Sequence, residues 1–349
     1  MSDAMKVAVC EILEELRRLL IVGTAGRLST VYIDDDSIVL NDFLTRDEFN
    51  ELTRSLGLGD GCYRDGLCLI CVTGDVIRFL IVRAQSVFGL FGTGWNAIYV
   101  KIDFNTETAE LRYLLHKHGK IVNLWHLHVL TDIGCVIRQA LEYIGQNVVV
   151  VEEHVIDRYY KLRERIDTAF DLVPKLSGWK CSVTKILSDM FDCIYEHHYG
   201  ETGQLLRVYD ERLTVGWSKI KTFNGYVELI AKLGLFDYSH LGCGTFVLYI
   251  GETHVKALMI RVFGGYDSKI QATRAKYFEL NFSTRKHKLR ALRFDSCKEQ
   301  LDWNDCGLDS LRSEIKDLLE FASHIARWND YDSMYNSFIM RIDNDLAGV

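Results

Sequence analysis

The sequence predicts an α+β fold in which one module, with the element order α-ββ-α-ββββ-α-α, occurs twice in tandem. Three observations lead to this prediction. Matching residues relate the two halves at a nearly constant offset, the single proline of the chain stands between them, and each half repeats the same series of helix and strand patterns. We expect each module to form an antiparallel sheet that helices cover on one face.

The offset between the halves is 177 residues over the first part of each module. It aligns Gly23 with Gly200 and Gly74 with Gly251 without a gap. One inserted residue then changes the offset to 178, which aligns three further pairs: Tyr99 with Tyr277, Arg112 with Arg290, and Trp125 with Trp303. Glycines and apolar residues that match in register over so long a stretch indicate an internal duplication.

The proline, Pro174, lies in the segment that joins the halves. Because proline lacks an amide donor and interrupts both helices and sheet ladders, it is typical of a boundary. We therefore predict a first α+β repeat over residues 1–170, a linker over residues 171–180, and a second α+β repeat over residues 181–349.

Helices are predicted where apolar residues recur at intervals of three and four. In the first repeat they define helix one by Val9, Ile12, Leu13, Leu16, Leu19 and Leu20, helix three by Ile133, Val136, Ile137, Ala140, Leu141 and Ile144, and a last helix by Val155, Tyr159, Leu162 and Ile166. Thr45 and Glu48 form a capping box that starts helix two, and Gly57 ends that helix as a C′ glycine. Gly234 stands at the matching place in the second repeat.

Strands are predicted where apolar and polar residues alternate. In the first repeat this pattern gives three hairpins: Leu28–Leu40, Leu67–Arg83 and about Asn96–Leu115. The second hairpin turns at Gly74 and Asp75, or at Gly251 and Glu252 in the second repeat, and a leading glycine suggests a type II′ turn. The third hairpin turns near residues 105–107.

Composition limits the class of protein. With 349 residues, 48% of them hydrophobic and 26% charged, the chain can build a large core, and no apolar run is long enough to cross a bilayer. The charged residues within the first 20 positions do not fit a secretory signal peptide, so we expect an intracellular, cytoplasmic protein. A net charge of −7 argues against a wholly electrostatic nucleic-acid binder.

The 10 cysteines are expected to be core thiols and not disulfides. Cys68 and Cys71 form a CxxC pair, but three residues apart on a strand they point to opposite faces. No P-loop, nucleophile elbow or zinc-protease motif is present, and Gly57, Gly59 and Gly61 end a helix where a phosphate loop would open one. The sequence therefore predicts no cofactor and gives no sign of catalysis.

Histidines provide the best metal candidate. His116 and His118 share one strand face, and His126 and His128 repeat that spacing nearby. Neutral imidazoles on one face could bind zinc, nickel or copper. A surface connection that carries incidental histidines is the alternative, since the second repeat has none at the matching positions.

The segment Lys269–Arg293 is the strongest functional hint. It holds eight Lys or Arg residues against one Glu: Lys269, Arg274, Lys276, Arg285, Lys286, Lys288, Arg290 and Arg293. Such a hairpin could contact phosphates and release counterions. A solvated hairpin, or one that docks on an acidic protein, is the alternative, because its charges alternate onto both strand faces.

Aromatic and glycine residues follow an arginine that both repeats share. These candidates for a partner-binding loop are Arg83, Phe88, Phe91 and Trp95 in the first repeat and Arg261, Phe263 and Tyr266 in the second. Glycines allow close backbone approach and aromatics supply contact area, but the same residues could form a seam between the repeats.

Three functional hypotheses follow. The first is a noncatalytic interaction protein whose two diverged modules bind a protein partner or a second copy of the chain. The second is a nucleic-acid or ribonucleoprotein binder that uses the hairpin 269–293. The third is an enzyme of unfamiliar type that depends on a metal held by the histidines. No membrane partner is expected.

Overall fold

A computed structural model describes residues 3–23, 29–33, 67–85, 94–117, 120–129, 132–147, 153–197, 203–220, 229, 233, 244–263, 272–295, 298–326 and 331–347. The chain divides into two compact units. Unit 1 comprises Met1–Val173 with Ile230–Leu235, and unit 2 comprises Pro174–Leu229 with Phe236–Val349. Each unit contains helices and one sheet rich in antiparallel pairs, which is an α+β architecture.

Unit 1 contains three described helices and six described strands. They are α1 (Asp3–Gly23), β1 (Ser29–Ile33), β2 (Leu67–Thr73), β3 (Val76–Gln85), β4 (Gly94–Asp103), β5 (Thr108–Lys117), β6 (Lys120–Val129), α2 (Ile133–Asn147) and α3 (Glu153–Ala169). The sheet order is β1-β2-β3-β4-β5-β6. Strands β2 to β6 form an antiparallel meander, and β1 joins β2 in parallel.

Unit 2 contains α4 (Trp179–His197), β7 (Gly203–Val208), β8 (Gly244–Ile250), β9 (His254–Phe263), β10 (Ala272–Asn281), β11 (Lys286–Asp295), β12 (Lys298–Gly307), α5 (Leu311–Ala326) and α6 (Tyr331–Asp345). Its sheet order is β12-β11-β10-β9-β8-β7. The last five strands again form an antiparallel meander, and β7 joins β8 in parallel. The described strands therefore have the same order and the same single parallel pair in both sheets.

Three strand predictions need correction. The sheets are not wholly antiparallel, because β1 and β7 each pair in parallel with the strand that follows. In unit 2 the chain after β7 does not turn back as a hairpin but forms short 3-10 helices at Glu211–Thr214 and Trp217–Lys219. The meanders also have five strands where four were predicted, since β6 and β12 extend them.

The helix predictions of the first repeat are confirmed for helices one, three and last. Every apolar residue named for these helices is at most 5% exposed, so each predicted apolar stripe is buried. Helix α2 packs on β4 and β5, and α3 packs on α1 and α2. Arg165 on α3 forms ion pairs with Glu11 and Glu15 on α1, both at 2.7 Å, which fixes the outer helices together.

In unit 2 the last helix again packs on the two others, but the helices contact different strands of the sheet. Helix α4 packs on β7 and β8, α5 on β8 and β9, and α6 on α4 and α5. Arg341 on α6 reaches Asp189 on α4 at 2.6 Å. Arg207 on β7 donates to Ser188 on α4 at 2.8 Å, so α4 lies over the sheet face that carries Arg207.

The helices of unit 2 lie on one face of the sheet, and the opposite face is covered by a segment that was not predicted. Lys256 on β9 binds Glu211 at 3.0 Å, and Arg290 on β11 donates to the carbonyl oxygen of Ser218 at 2.6 Å. Trp217, within the segment that these bonds hold, is 0% exposed. The 3-10 segment thus forms a layer against the face that the helices do not cover.

The predicted type II′ turn occurs in unit 1 but not in unit 2. Gly74 has φ of 55°, and Thr73 pairs directly with Val76, so Gly74 leads a two-residue turn. In unit 2 the loop also has two residues, Glu252 and Thr253, because Gly251 and His254 form the closing pair. Gly74 therefore corresponds in register to Glu252, and Gly251 is absent from the described positive-φ residues. A Cβ on Gly251 would lie 2.3 Å from the hydroxyl oxygen of Tyr249, so glycine serves close approach there.

Several other predictions fall outside the described residues. These are helix two with Thr45, Glu48 and Gly57, the second strand of the Leu28–Leu40 hairpin, and Gly234. Free thiols are present at Cys10, Cys68, Cys71, Cys135, Cys181 and Cys193. Cys68 and Cys71 are fully buried on β2 as predicted, but Cys181 on α4 is exposed, so the prediction of a core thiol is wrong there. Across the described helices, none combines the length and the apolar character that a bilayer crossing needs.

Candidate functional site

The third hairpin has the same turn in both units. In unit 1 the Asp103 carboxylate accepts from the backbone N–H of Asn105 and Thr106, at 3.0 and 3.1 Å. In unit 2 the Asn281 side chain accepts from two backbone N–H groups in the same way, at 2.9 and 2.8 Å. The last turn residue has φ of 54° at Glu107 and 55° at Arg285. One backbone conformation therefore presents opposite charges in the two units.

The first helix of each unit reaches this turn with a lysine. Lys6 on α1 lies 5.8 Å from the ring centroid of Phe104, and Lys180 on α4 lies 5.8 Å from that of Phe282. Both phenylalanines donate their backbone N–H to the neighbouring turn, at 2.9 Å. The helix start and the two turns form one end of each unit.

In unit 1 this end is acidic. We define the acidic tip as Asp75, Asp103 and Glu107 with Lys6, which is three carboxylates and one cation. Lys6 is neutralised by Asp75 at 2.5 Å. Burial raises the pKa of Asp103, but the backbone N–H groups of Thr106 and Asn105 outweigh it, so this pKa lies below its usual value. The acidic tip therefore carries a formal net charge of −2 from its three carboxylates and one lysine.

In unit 2 the same end is basic. We define the basic tip as Lys180, Arg285 and Lys286 with Glu252, a formal net charge of +2 from three cations and one carboxylate. Arg285 and Lys286 are exposed, and the guanidinium of Arg285 lies 5.7 Å from the ring centroid of Trp179. Within the described part of the chain, none of the three cations forms an ion pair.

Two cations of the predicted basic segment are engaged inside unit 2. Lys276 forms an ion pair with Asp317 on α5 and lies 5.5 Å from the ring centroid of Phe321. Arg290 is 2% exposed and is held by the carbonyl of Ser218. Lys276 contacts the helix face of the sheet and Arg290 contacts the opposite face, as the predicted alternation of charges onto both faces requires. Neither side chain is presented to a ligand.

Strand register brings three arginines into one cross-strand row. Arg274, which is exposed, pairs in register with Arg261 on β9 and Arg293 on β11. The row in unit 1 holds Asn96 between Arg83 and Leu115. This row of three arginine positions lies at the far end of β10 from the basic tip. Lys288 lies on β11, paired with Glu279, and Lys269 lies outside the described residues.

A buried tyrosine and arginine stand side by side in both sheets. Tyr99 pairs in register with Arg112, whose guanidinium lies 5.2 Å from the tyrosine ring centroid, and Tyr277 pairs with Arg290. Burial raises the pKa of Tyr99 to about 12 against the opposing effect of the nearby arginines. Burial raises the pKa of Tyr277, and so does the carboxylate of Glu279, to which the Tyr277 hydroxyl donates a hydrogen bond at 2.8 Å. Both hydroxyls stay protonated and serve packing.

His287 is a further buried titratable group. It lies between the sheet and α5, with Nε2 at 3.3 Å from the Ser310 hydroxyl and 3.7 Å from a Glu314 oxygen. Its ring centroid is 6.1 Å from that of Phe278. Burial lowers the pKa of His287, and the Glu314 carboxylate opposes that shift. Serine and glutamate both approach the same ring nitrogen, which is not the arrangement of a nucleophile triad.

The predicted partner-loop residues lie at the other end of the sheets. Arg83 and Trp95 stand on β3 and β4, and Arg261 and Phe263 on β9. Phe88, Phe91 and Tyr266 lie outside the described residues.

The predicted metal histidines are spread along two strands. On β6, His126 and His128 pair in register with Leu111 and Ala109, whereas His116 on β5 pairs with Ile121. His126 lies five positions beyond Ile121 on β6, which is about 17 Å of strand. His118 lies outside the described residues. Among the residues that the structure describes, no group of three or more His, Cys, Asp or Glu side chains could hold a metal ion.

Lys180 is the site residue that the sequence did not reveal. It belongs to the first turn of α4, far along the chain from the hairpin that it joins, and only the packing of Lys180 on Phe282 brings it there.

No family model, curated protein or solved structure matches the chain.

Proposed function

We propose that the chain is a noncatalytic interaction protein built from two diverged copies of one binding module. The common strand order, the parallel first pair and the repeated turn support a duplication. The registers of β2 with β3 and of β8 with β9 are related by the offset of 178 that also relates the later strands, so the extra residue lies before β8. A protein partner or a second copy of the chain would be bound by exposed ends of the units.

One observation carries the functional part of the proposal. Glu107 and Arg285 occupy the same backbone conformation at the same turn, yet the tips around them differ by four formal charges, −2 against +2. A shared scaffold with opposite surface charge is expected when two modules select different partners, because electrostatic complementarity controls specificity.

Exchange of the two turn residues tests this proposal. Glu107→Arg and Arg285→Glu each install a residue that the other unit already accommodates at that φ, so the fold should be kept in both variants. We expect each variant, isolated without nuclease from the native source, to lose a different subset of the macromolecules that accompany the unchanged chain. Identical co-isolated sets for all three chains would contradict the proposal. Turnover of a substrate that one side-chain change abolishes would also contradict it.

A nucleic-acid or ribonucleoprotein function is the second candidate. The three cations of the basic tip favour it, since none of them is neutralised within the described part of the chain.

A further inference from the structure

We propose that the basic tip of unit 2 binds the phosphodiester backbone of a single-stranded nucleic acid. This inference rests on the proposed function, since it names the ligand of one of the two surfaces. The residues are Lys180, Arg285 and Lys286, with Trp179 as the aromatic neighbour.

The cations are held close together by packing. Lys180 lies over Phe282 at the start of the turn, and Arg285 at its end lies over Trp179, whose ring contacts that of Phe282 edge to face at 5.8 Å. Lys286 follows Arg285 directly. One aromatic pair therefore positions two cations from two elements, and the third cation is adjacent in the chain.

The exposed residues of the turn favour phosphate over a protein surface. Ser283, Thr284, Arg285 and Lys286 are all exposed, and all four are hydrogen-bond donors. Hydroxyl and cationic side chains are the groups that contact phosphates in nucleic-acid complexes. The apolar residue of the turn, Phe282, is 3% exposed, so the turn lacks the apolar anchor that the centre of a protein interface needs.

The aromatic ring beside Arg285 favours a single strand over a duplex. The guanidinium carbon of Arg285 lies 5.7 Å from the centroid of the Trp179 ring, so a cationic and an aromatic side chain meet at the basic tip. Unpaired bases stack on guanidinium planes and aromatic rings, whereas the bases of a duplex are already stacked on each other. The basic tip thus offers N–H groups for a phosphate and, beside them, planar side chains of the kind on which unpaired bases stack.

Unit 1 provides an internal comparison. The acidic tip has the same turn and the same phenylalanine and lysine contact, but Glu107 replaces Arg285 and Asp75 neutralises Lys6. That tip would repel phosphate. With a net charge of −7 for the whole chain, we expect binding to be confined to the basic tip.

The test is a salt titration of binding, by fluorescence anisotropy, with a labelled single-stranded homopolymer oligonucleotide and the full chain. For three phosphate contacts we expect log K to fall against log salt with a slope of about −2. Between roughly 50 and 200 mM salt this slope weakens binding about 20-fold. In the Arg285→Ala/Lys286→Ala double variant the slope should fall to about −0.7, the value for one contact.

The matched control is Arg158→Ala/Lys161→Ala on α3, which removes two exposed cations from unit 1 and should leave the slope unchanged. The proposal is overturned if the chain does not bind, if the tip variant keeps the slope, if Arg274→Ala abolishes binding instead, or if polyglutamate or a duplex of equal length binds more tightly. Any of these results shows that the basic tip does not bind a single-stranded nucleic acid. The proposed function remains supported if the exchange of Glu107 and Arg285 still alters the co-isolated partners.

Discussion

Removal of the Arg138 guanidinium should destabilise unit 1 far more than an equivalent change in unit 2. Arg138 on α2 is 0% exposed and binds Glu142 at 2.9 Å and Asp167 on α3 at 2.7 Å. Arg138→Ala leaves Glu142, which is 1% exposed, as a buried carboxylate without its guanidinium partner. Breaking a buried ion pair from one side costs about 3 to 5 kcal/mol.

Unit 2 offers the matched position. Lys316 on α5 binds Asp343 on α6 at 2.6 Å and joins the equivalent pair of helices, but these side chains are 33% and 45% exposed. Water can solvate either partner, so Lys316→Ala should cost less than about 1 kcal/mol. The two substituted ion pairs join equivalent helices and differ in how deeply they are buried.

Thermal unfolding followed by circular dichroism measures the contrast, and hydrogen exchange of α2 and α5 assigns each change to a unit. For a unit of this size we expect Arg138→Ala to lower Tm by roughly 10 °C and Lys316→Ala by less than about 3 °C. Arg138→Met/Glu142→Met should recover most of the loss, because apolar residues of similar volume replace buried ion pairs well. Equal shifts for the two alanine variants would refute the reasoning from burial.

Two further predictions concern unit 2. Because burial lowers the folded-state pKa of His287, the neutral ring is favoured in the fold, so stability should fall as pH drops below about 6.5, the ordinary value, and His287→Phe should flatten Tm between pH 7 and 5; an unchanged pH profile would contradict this. Gly251→Ala should cost about 1 to 3 kcal/mol in urea unfolding, since its Cβ would lie 2.3 Å from the Tyr249 hydroxyl. Gly251→Ala/Tyr249→Phe should recover part of that loss, and a neutral single variant would show that the ring moves freely.

Local patterns predicted helices one, three and last of the first repeat, and its third hairpin, because the cause of these elements is local. The stripe with Val9 and Leu16 faces a core wherever the helix packs, and the turn at residues 104–107 is set by its own residues. The parallel pairing of β1 with β2 is not local. It depends on where the chain returns after more than thirty residues, which alternation cannot show.

Strand β12 shows a different limit. Its sequence, KEQLDWNDCG, lacks the β-branched residues that favour strands, and pairing with β11 decides its conformation. In the candidate site, too, some residues could be predicted from the sequence and others only from the packing. Charge density identified Arg285 and Lys286, but only packing reveals that Arg290 is bound by Ser218 and that Lys180 joins the basic tip.

The parallel strands β1 and β7 have a consequence for the order in which each sheet assembles. The five meander strands are connected in sequence order, so each strand can pair with the next one along the chain at low entropic cost. In unit 2, β7 can pair with β8 only after the long loop between Val208 and Gly244 closes, which has a higher entropic cost. The parallel edge strand should therefore pair last during folding. In partial unfolding of a unit, we expect this strand to detach first while the meander stays folded.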